Sequence, residues 1–143
     1  MRDLMIKNPI QRLSQMMHFM TIHSIDNYVE VTVSGQTIAS STATKKIKEV
    51  GFEIYEPRLY FPREDVDFKF LNLSSKTTHC PLKGDTQYFD LIVADKVIKN
   101  AAWSYTTVLT FDERISEIKN YIAFDKELLL IIEYPLSNTF NNK

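Results

Sequence analysis

The rhythm of apolar and polar positions changes at Tyr28. In YVEVTV (28–33), Val29, Val31 and Val33 share one face while Glu30 and Thr32 take the other, the alternation of a half-buried strand. Ser34-Gly35 is a two-residue turn signal, and QTIASST returns as the partner strand. KKIKEVGFEIYEP is interrupted by Gly51 and Pro57 and predicts only a short strand or an irregular segment. RLYF reads as a strand stopped by Pro62, and Pro62-Arg63-Glu64-Asp65 as a turn or a single helical turn. FKFLNL predicts a further strand ending at Ser74-Ser75. QYFDLIVA (87–94) and KVIKNAAW (96–103) flank Asp95 and predict a hairpin.

DERISEIKN (112–120) is the best helical stretch of this region, with Ile115 and Ile118 three apart and Asp112 as N-cap. YIAF and LLLIIEY supply the closing strands. LLLII is continuously apolar, which predicts burial on both faces. Before Tyr28 the chain is polar and carries all 5 methionines. Asn8-Pro9-Ile10-Gln11 has the form of a helix start, after which Ile10, Leu13, Met17 and Met20 fall on one helical face. The expected organisation is a helical N-terminal extension over 1–27, a β domain over 28–135 and a polar tail over 136–143. Many short strands with closely spaced turns and one short helix point to a mostly β, antiparallel, single-domain fold.

Bulk properties narrow the function classes. The 143 residues suffice for one domain with its own core, so no metal or disulfide is needed to hold it. The formal net charge of -1 provides no basic field for nucleic acid or an anionic membrane surface. The single cysteine excludes an internal disulfide and fits a reducing, cytoplasmic setting. No apolar run approaches the roughly 20 residues needed to span a bilayer, and MRDLMIKNPIQRL lacks the core of a signal peptide.

The densest candidate chemistry is THCPLKGDTQYF (78–89), which holds the only cysteine beside one of 3 histidines. Structural zinc requires four Cys or His-type ligands in paired spacings, which a lone His79-Cys80 pair does not supply. Cys80 as a nucleophile would need a lowered thiol pKa, with His79 or Lys83 as the source. Adjacent residues of a strand face opposite ways, however, so His79 and Cys80 do not pair. PLKGD lacks the GxxxxGK[ST] spacing of a phosphate loop. Gly84 instead suits a positive-φ turn position, and Lys83 with Arg63 could hold one anionic group without a motif. Asp65 is placed to cap a neighbouring backbone N–H. In NAAWSY (100–105), Trp103 and Tyr105 share a strand face, as a core pair or as an aromatic wall.

YFPREDV (60–66), THCPLKG (78–84) followed by Tyr88, NAAWSY and YIAF (121–124), in this order, resemble the bacterial and fungal family catalogued as domain of unknown function 427. The resemblance covers roughly Val29 to Glu133. It implies a compact β fold similar to the β-tent of small zinc-containing domains, without their cysteine pairs. It also implies a pocket edged by Arg63, Asp65, His79, Cys80, Lys83, Gly84, Tyr88, Trp103 and Tyr105. Leu82, Val108 and Asp125 depart from the family pattern, which usually has an aromatic, a proline and an aromatic there. The family also carries a nucleotidyltransferase label. Such chemistry needs carboxylates holding Mg²⁺ and a phosphate cradle, and the spacing of Asp65, Asp67 and Asp85 does not demand either.

Three functions are compatible with these residues. The first is a pocket for a small polar or anionic ligand. In it Arg63, Lys83, Gly84, Tyr88, Trp103 and Tyr105 bind, while His79, Cys80 and Asp65 supply any acid–base or nucleophilic step. His79 is the natural near-neutral base of the region. The second is an interaction or homodimerisation module using the N-terminal arm. The third is a thiol enzyme built on Cys80. None implies a cofactor or a metal.

Overall fold

The computed structural model describes residues 8–12 and 17–135. Twelve strands account for most of them: β1 (Ile10–Gln11), β2 (Phe19–Ser24), β3 (Tyr28–Val33), β4 (Gln36–Ser41), β5 (Lys45–Val50), β6 (Arg58–Phe61), β7 (Leu71–Leu73), β8 (His79–Cys80), β9 (Gly84–Val93), β10 (Lys96–Val108), β11 (Ile122–Phe124) and β12 (Leu130–Tyr134). Nine form one sheet in the order β1-β2-β5-β6-β11-β10-β9-β7, with β8 added on β9, and three form a second sheet ordered β12-β3-β4. Every named strand pairing is antiparallel. No helix among the described residues is long and apolar enough to cross a membrane.

The two anticipated hairpins are present. Ser34 and Gly35 both take positive φ (52° and 80°), the backbone of a tight turn whose twist matches β3 and β4. Ala94, at φ 55°, turns β9 into β10. The helical stretch after Asp112 is a 3-10 helix over Glu113–Ile118. Asp112 caps it by accepting from the Arg114 N–H, and the three-residue spacing of Ile115 and Ile118 matches a three-residue turn. Arg63–Asp65 is a single 3-10 turn, and Phe68–Phe70, expected as strand, is another, leaving only Leu71–Leu73 to pair with β9.

Two expectations are corrected. The N-terminal extension is not helical over its described residues, and Leu13 lies outside them. Asn8 sits at φ 51°, which a helix N-cap does not adopt, and Ile10 pairs with Met20 across β1 and β2. Cross-strand pairing buries these two residues fully, and Met17, assigned to the same helical face, is 79% exposed. A spacing of ten is compatible with either geometry, and β2 wins because β5 offers it a ladder from Phe19 to Ser24. The second correction is LLLII. Among the described residues β12 is an edge strand paired only with β3, and Leu128 and Leu130 are exposed while Leu129 is buried.

The larger sheet buries both its faces, differently. One face packs against the small sheet through Val29, Val31, Ile38, Phe61, Leu91, Ala102, Ile122 and Phe124. The other is covered by the 3-10 helix at Ile115 and Ile118 and by Leu82, which close over Ile10, Met20, Ile47, Tyr60 and Tyr105. Strand alternation assigns neighbours to opposite cores: Phe61 to the first and Tyr60 to the second, Ala102 to the first and Trp103 to the second.

Candidate functional site

The aromatic and charged residues of the second face meet in register. Tyr60 lies opposite Ala123, Ala123 opposite Trp103, and Trp103 opposite Tyr88, so one row crosses four strands. Ile47 lies opposite Arg58 on the adjacent row, and Glu49 follows two residues later on β5, on the same face. Ala123 is the small member of the row, and its missing bulk leaves Tyr60 and Trp103 in reach of each other. The Trp103 indole N–H donates to the Tyr60 hydroxyl at 3.3 Å. Tyr88 and Trp103 face each other at 5.9 Å between ring centroids, tilted by 34°.

Apart from Ala123, these residues line a cleft of about 630 Å³, floored by Glu49, Tyr60, Lys83 and Tyr105. Its rims are the β5–β6 connection, with Glu53, Ile54, Tyr55 and Glu56, and the segment Asp125–Glu127. An ion pair between Lys126 and Glu56 joins the two rims.

Lys83 is the central charge. It is only 5% exposed. The turn that carries it is a short hairpin in which His79 pairs with Asp85 and Cys80 with Gly84. The Lys83 N–H donates to the Cys80 carbonyl and its own carbonyl accepts from Leu109, so its main chain is held from both sides. Gly84 has φ 134°, and an added Cβ there would collide with the Thr107 carbonyl oxygen. Gly84 thus places Lys83 without lining the cleft. Leu82, fully buried in the second core, pulls the turn inward.

The Lys83 ammonium donates to Glu49 Oε1 at 2.5 Å, and the other oxygen, Oε2, is 2.6 Å from His18 Nε2. Because an ionised carboxylate only accepts, His18 Nε2 carries the hydrogen of that contact. Burial raises the Glu49 carboxyl, but the Lys83 charge and the hydrogen bonds from Lys83 and His18 outweigh it, and the net shift is downward. Burial lowers the Lys83 ammonium, while Tyr60, Glu49 and Cys80 raise it, and the net shift is upward. At neutral pH the phenols are uncharged, so Glu49 is the anion that holds the ammonium. Burial pushes the Tyr60 and Tyr105 phenols up, and both stay protonated. The floor is therefore a fixed ion pair with two phenols, poised to donate hydrogen bonds rather than to act as an amine nucleophile.

Two further cations sit on the aromatic row. The Arg58 guanidinium lies 5.1 Å from the Trp103 ring centroid, and the Lys76 ammonium 4.5 Å from that of Tyr88.

Of the nine residues singled out from the sequence, Lys83, Tyr88, Trp103 and Tyr105 line this cleft. The other five do not line it. Arg63 reaches through the opposite face: its Nη2 donates to Ser104 Oγ at 3.4 Å, its Nε to the Asn120 carbonyl, and its plane covers Phe68. Asp65 accepts from Ser41 Oγ at 2.6 Å and borders a separate, shallower cleft. His79 and Cys80 take opposite sides of β8. The His79 ring contacts Asp85 at 2.7 Å on the surface, and Cys80 packs against the second core. Glu49, Arg58 and Tyr60 were missed as site residues. Glu49 had a signal, since Lys45, Ile47 and Glu49 alternate on one face. Among the described residues no group of three or more His, Cys, Asp or Glu is close enough to hold a metal ion.

Residues 21–133 match the family described as Domain of unknown function (DUF427), and the chain belongs to that family. No curated protein matches the chain.

Proposed function

We propose that the cleft is a binding site for a small polar ligand and that this is the function of the domain. The observation that carries the reading is the Lys83–Glu49 ion pair, buried beside a row that crosses four strands and holds three aromatics, yet lining an open cleft. Buried ion pairs contribute little net stability against an apolar replacement, so a fold that keeps one at the floor of a cleft is using it for something else. The raised Tyr60 and Tyr105 phenols and the Lys83 ammonium make the floor a set of donors for a ligand's acceptors. His79 and Cys80 stand apart from the cleft, so contacts to a ligand there fall to Lys83 and the phenols instead.

The interaction-module alternative loses part of its motivation. Ile10 and Met20, two of the four apolar residues of the supposed docking arm, are used in the chain's own second core, while Met17 stays exposed. The β-tent architecture implied by the family resemblance is retained as part of this proposal, supported by two antiparallel sheets of unequal size around a shared core.

A thermal-shift panel of nucleotides, sugars, phosphorylated metabolites and aromatic acids tests the reading. A ligand at a hundredfold excess over its Kd stabilises the fold by about 2.7 kcal/mol. The expected result is a hit that disappears in Trp103→Ala. Silence across the panel from a cooperatively folding protein would transfer the assignment to the interaction module.

A further inference from the structure

Arg58 Nη1 is one of two buried side-chain polar atoms without a hydrogen-bond partner among the described residues. The other, Thr44 Oγ1, does not line the cleft, whereas Arg58 does. Arg58 also has no carboxylate partner among the described residues, and its contact is the face of Trp103. Lys76 is in the same condition, exposed at the cleft with the Tyr88 ring as its partner. The remaining two cleft cations are already matched, Lys83 by Glu49 and Lys126 by Glu56. The positive charge left for a ligand therefore sits at Arg58 and Lys76, on adjoining rings of the Tyr88–Trp103 pair.

Buried guanidinium donors are normally satisfied, and a cation–π contact does not satisfy an N–H in the plane of the guanidinium. An oxyanion entering the cleft supplies the missing acceptor. Because Arg58 is tethered by stacking and not by an ion pair, its fork can turn to meet two oxygens at once. The rim opposes a large negative charge. Glu53, Glu56, Asp125 and Glu127 all border the opening, and only Glu56 is paired with a lysine among the described residues. A polyphosphate would meet this acidic rim, whereas a singly charged group passes it at small cost. Beyond the charged end, Ile47, Ile54 and Tyr55 offer apolar contact.

Resting on the reading of the cleft as a binding site, we infer that its ligand is a small organic monoanion, a carboxylate with an apolar or aromatic body, whose charged end is held between Arg58 and Lys76. This differs from the sequence expectation, in which Arg63 and Lys83 met the anion, and it argues against a nucleoside triphosphate as the occupant.

The test uses the full chain and the one indole N–H resonance that Trp103, the single tryptophan, provides. The probes are benzoate, its neutral and cationic isosteres benzamide and benzamidine, and ATP. Benzoate is expected to shift the resonance saturably and the other three not to. Arg58→Gln and Lys76→Gln should each weaken benzoate about tenfold or more, the size of one charge-assisted contact. Lys76 is exposed, so its variant folds even if Arg58→Gln does not. Benzamide or benzamidine binding as tightly as benzoate would overturn the inference while leaving the cleft a binding site. ATP binding more tightly than benzoate would overturn the monoanion limit. No shift with any probe would overturn the inference too, and the broader thermal-shift panel then decides the cleft reading separately.

Discussion

The two faces of the large sheet use one backbone for opposite ends. On the first, Phe61 and Phe124 meet edge to face at 5.5 Å, and Leu91, Ala102 and Ile122 seal against the small sheet. On the second, alternate residues of the same strands are Tyr60, Trp103, Tyr105 and Tyr88, and a lysine, a glutamate and an arginine stand among them. Phe61 and Tyr60 are neighbours in sequence, and the pleat alone sends one to a dry core and the other to the cleft. The polar tips of Trp103 and Tyr60 meet each other, and the Tyr88 hydroxyl accepts from Thr78 at 3.5 Å at the cleft's edge. Stability and recognition are thereby separated by one step along each strand, and substitutions on the two faces should have different signatures.

The largest expected effect is on the dry face. Phe61→Ala should cost about 3–5 kcal/mol of unfolding free energy, the usual result of emptying an aromatic site in a close-packed core. Urea denaturation measures it. Surviving folded protein should bind any cleft ligand with near-normal affinity, and a large loss of affinity would show that the faces are not separable.

Next is Glu49→Ala, which leaves the Lys83 ammonium buried and unpaired. The cost should approach the lower end of about 3–5 kcal/mol, because the cleft admits water to one side of the pair. Replacing both partners, Glu49→Gln with Lys83→Met, should recover most of that loss while abolishing ligand binding. Stability unchanged in Glu49→Ala would mean that Lys83 finds another anion, and the contrast between the faces would blur.

The pH dependence sharpens the same point. The Glu49 carboxyl is lowered in the folded state, so its stabilisation is present above its unfolded value, near 4.5, and is lost as pH falls through the lower folded value. The Lys83 ammonium is raised, so its contribution is complete below its unfolded value, near 10.5, and is lost as pH rises through the higher folded value. Between these limits the pair should be flat with pH. The double variant should flatten both the acid and the alkaline limb relative to wild type, as read from chemical denaturation across pH. Limbs of equal steepness in the two proteins would show that other groups carry the dependence.

A smaller effect belongs to the lid of the second core. Asp112 caps the 3-10 helix and also takes the Arg114 guanidinium, whose other donors reach the Asn8 and Pro9 carbonyls. Asp112→Ala should cost about 1 kcal/mol, measured as a shift in the urea midpoint. It should leave the dry face untouched, with no change in the denaturant slope.

Much of the fold could be read in the sequence, because strands with clean alternation and tight turns declare themselves. The hairpins at Ser34-Gly35 and Asp95 and the cap at Asp112 are local signals, fixed within a few residues. The site was half legible for the same reason. Trp103, Tyr105 and Tyr88 lie on the two strands of one hairpin, and alternation put the first two together. Glu49 and Arg58 reach the cleft only through β5 and β6, and a segment broken by Gly51 and Pro57 gives little hint of a register. The N-terminal segment misled because ten residues from Ile10 to Met20 satisfy a helix and a strand pair equally, and the choice was made by β5, which lies 25 residues beyond Met20. LLLII misled because continuous hydrophobicity signals burial only when both sides of a strand are covered, and β12 has one neighbour among the described residues.

The smallest effect expected is at His79, the residue the sequence favoured as a base. Its ring and the Asp85 carboxylate are each 60% exposed, and their contact spans the open side of a two-residue strand. A pair so exposed contributes within about 0.5 kcal/mol, since solvent screens the attraction and the side chains lose freedom to form it. His79→Ala should therefore leave the urea midpoint and ligand affinity unchanged. The double variant Glu49→Gln with Lys83→Met, which changes a residue four places along the same hairpin without leaving a lone buried carboxylate, should abolish binding. That pairing isolates what the sequence could not distinguish: His79 and Lys83 are both polar, ionisable and part of one motif, and they differ only in the side of the hairpin they occupy. If His79→Ala instead removed binding while the fold stood, the cleft would have to extend around the β8 edge, and Lys83 would be a support for the site rather than its floor.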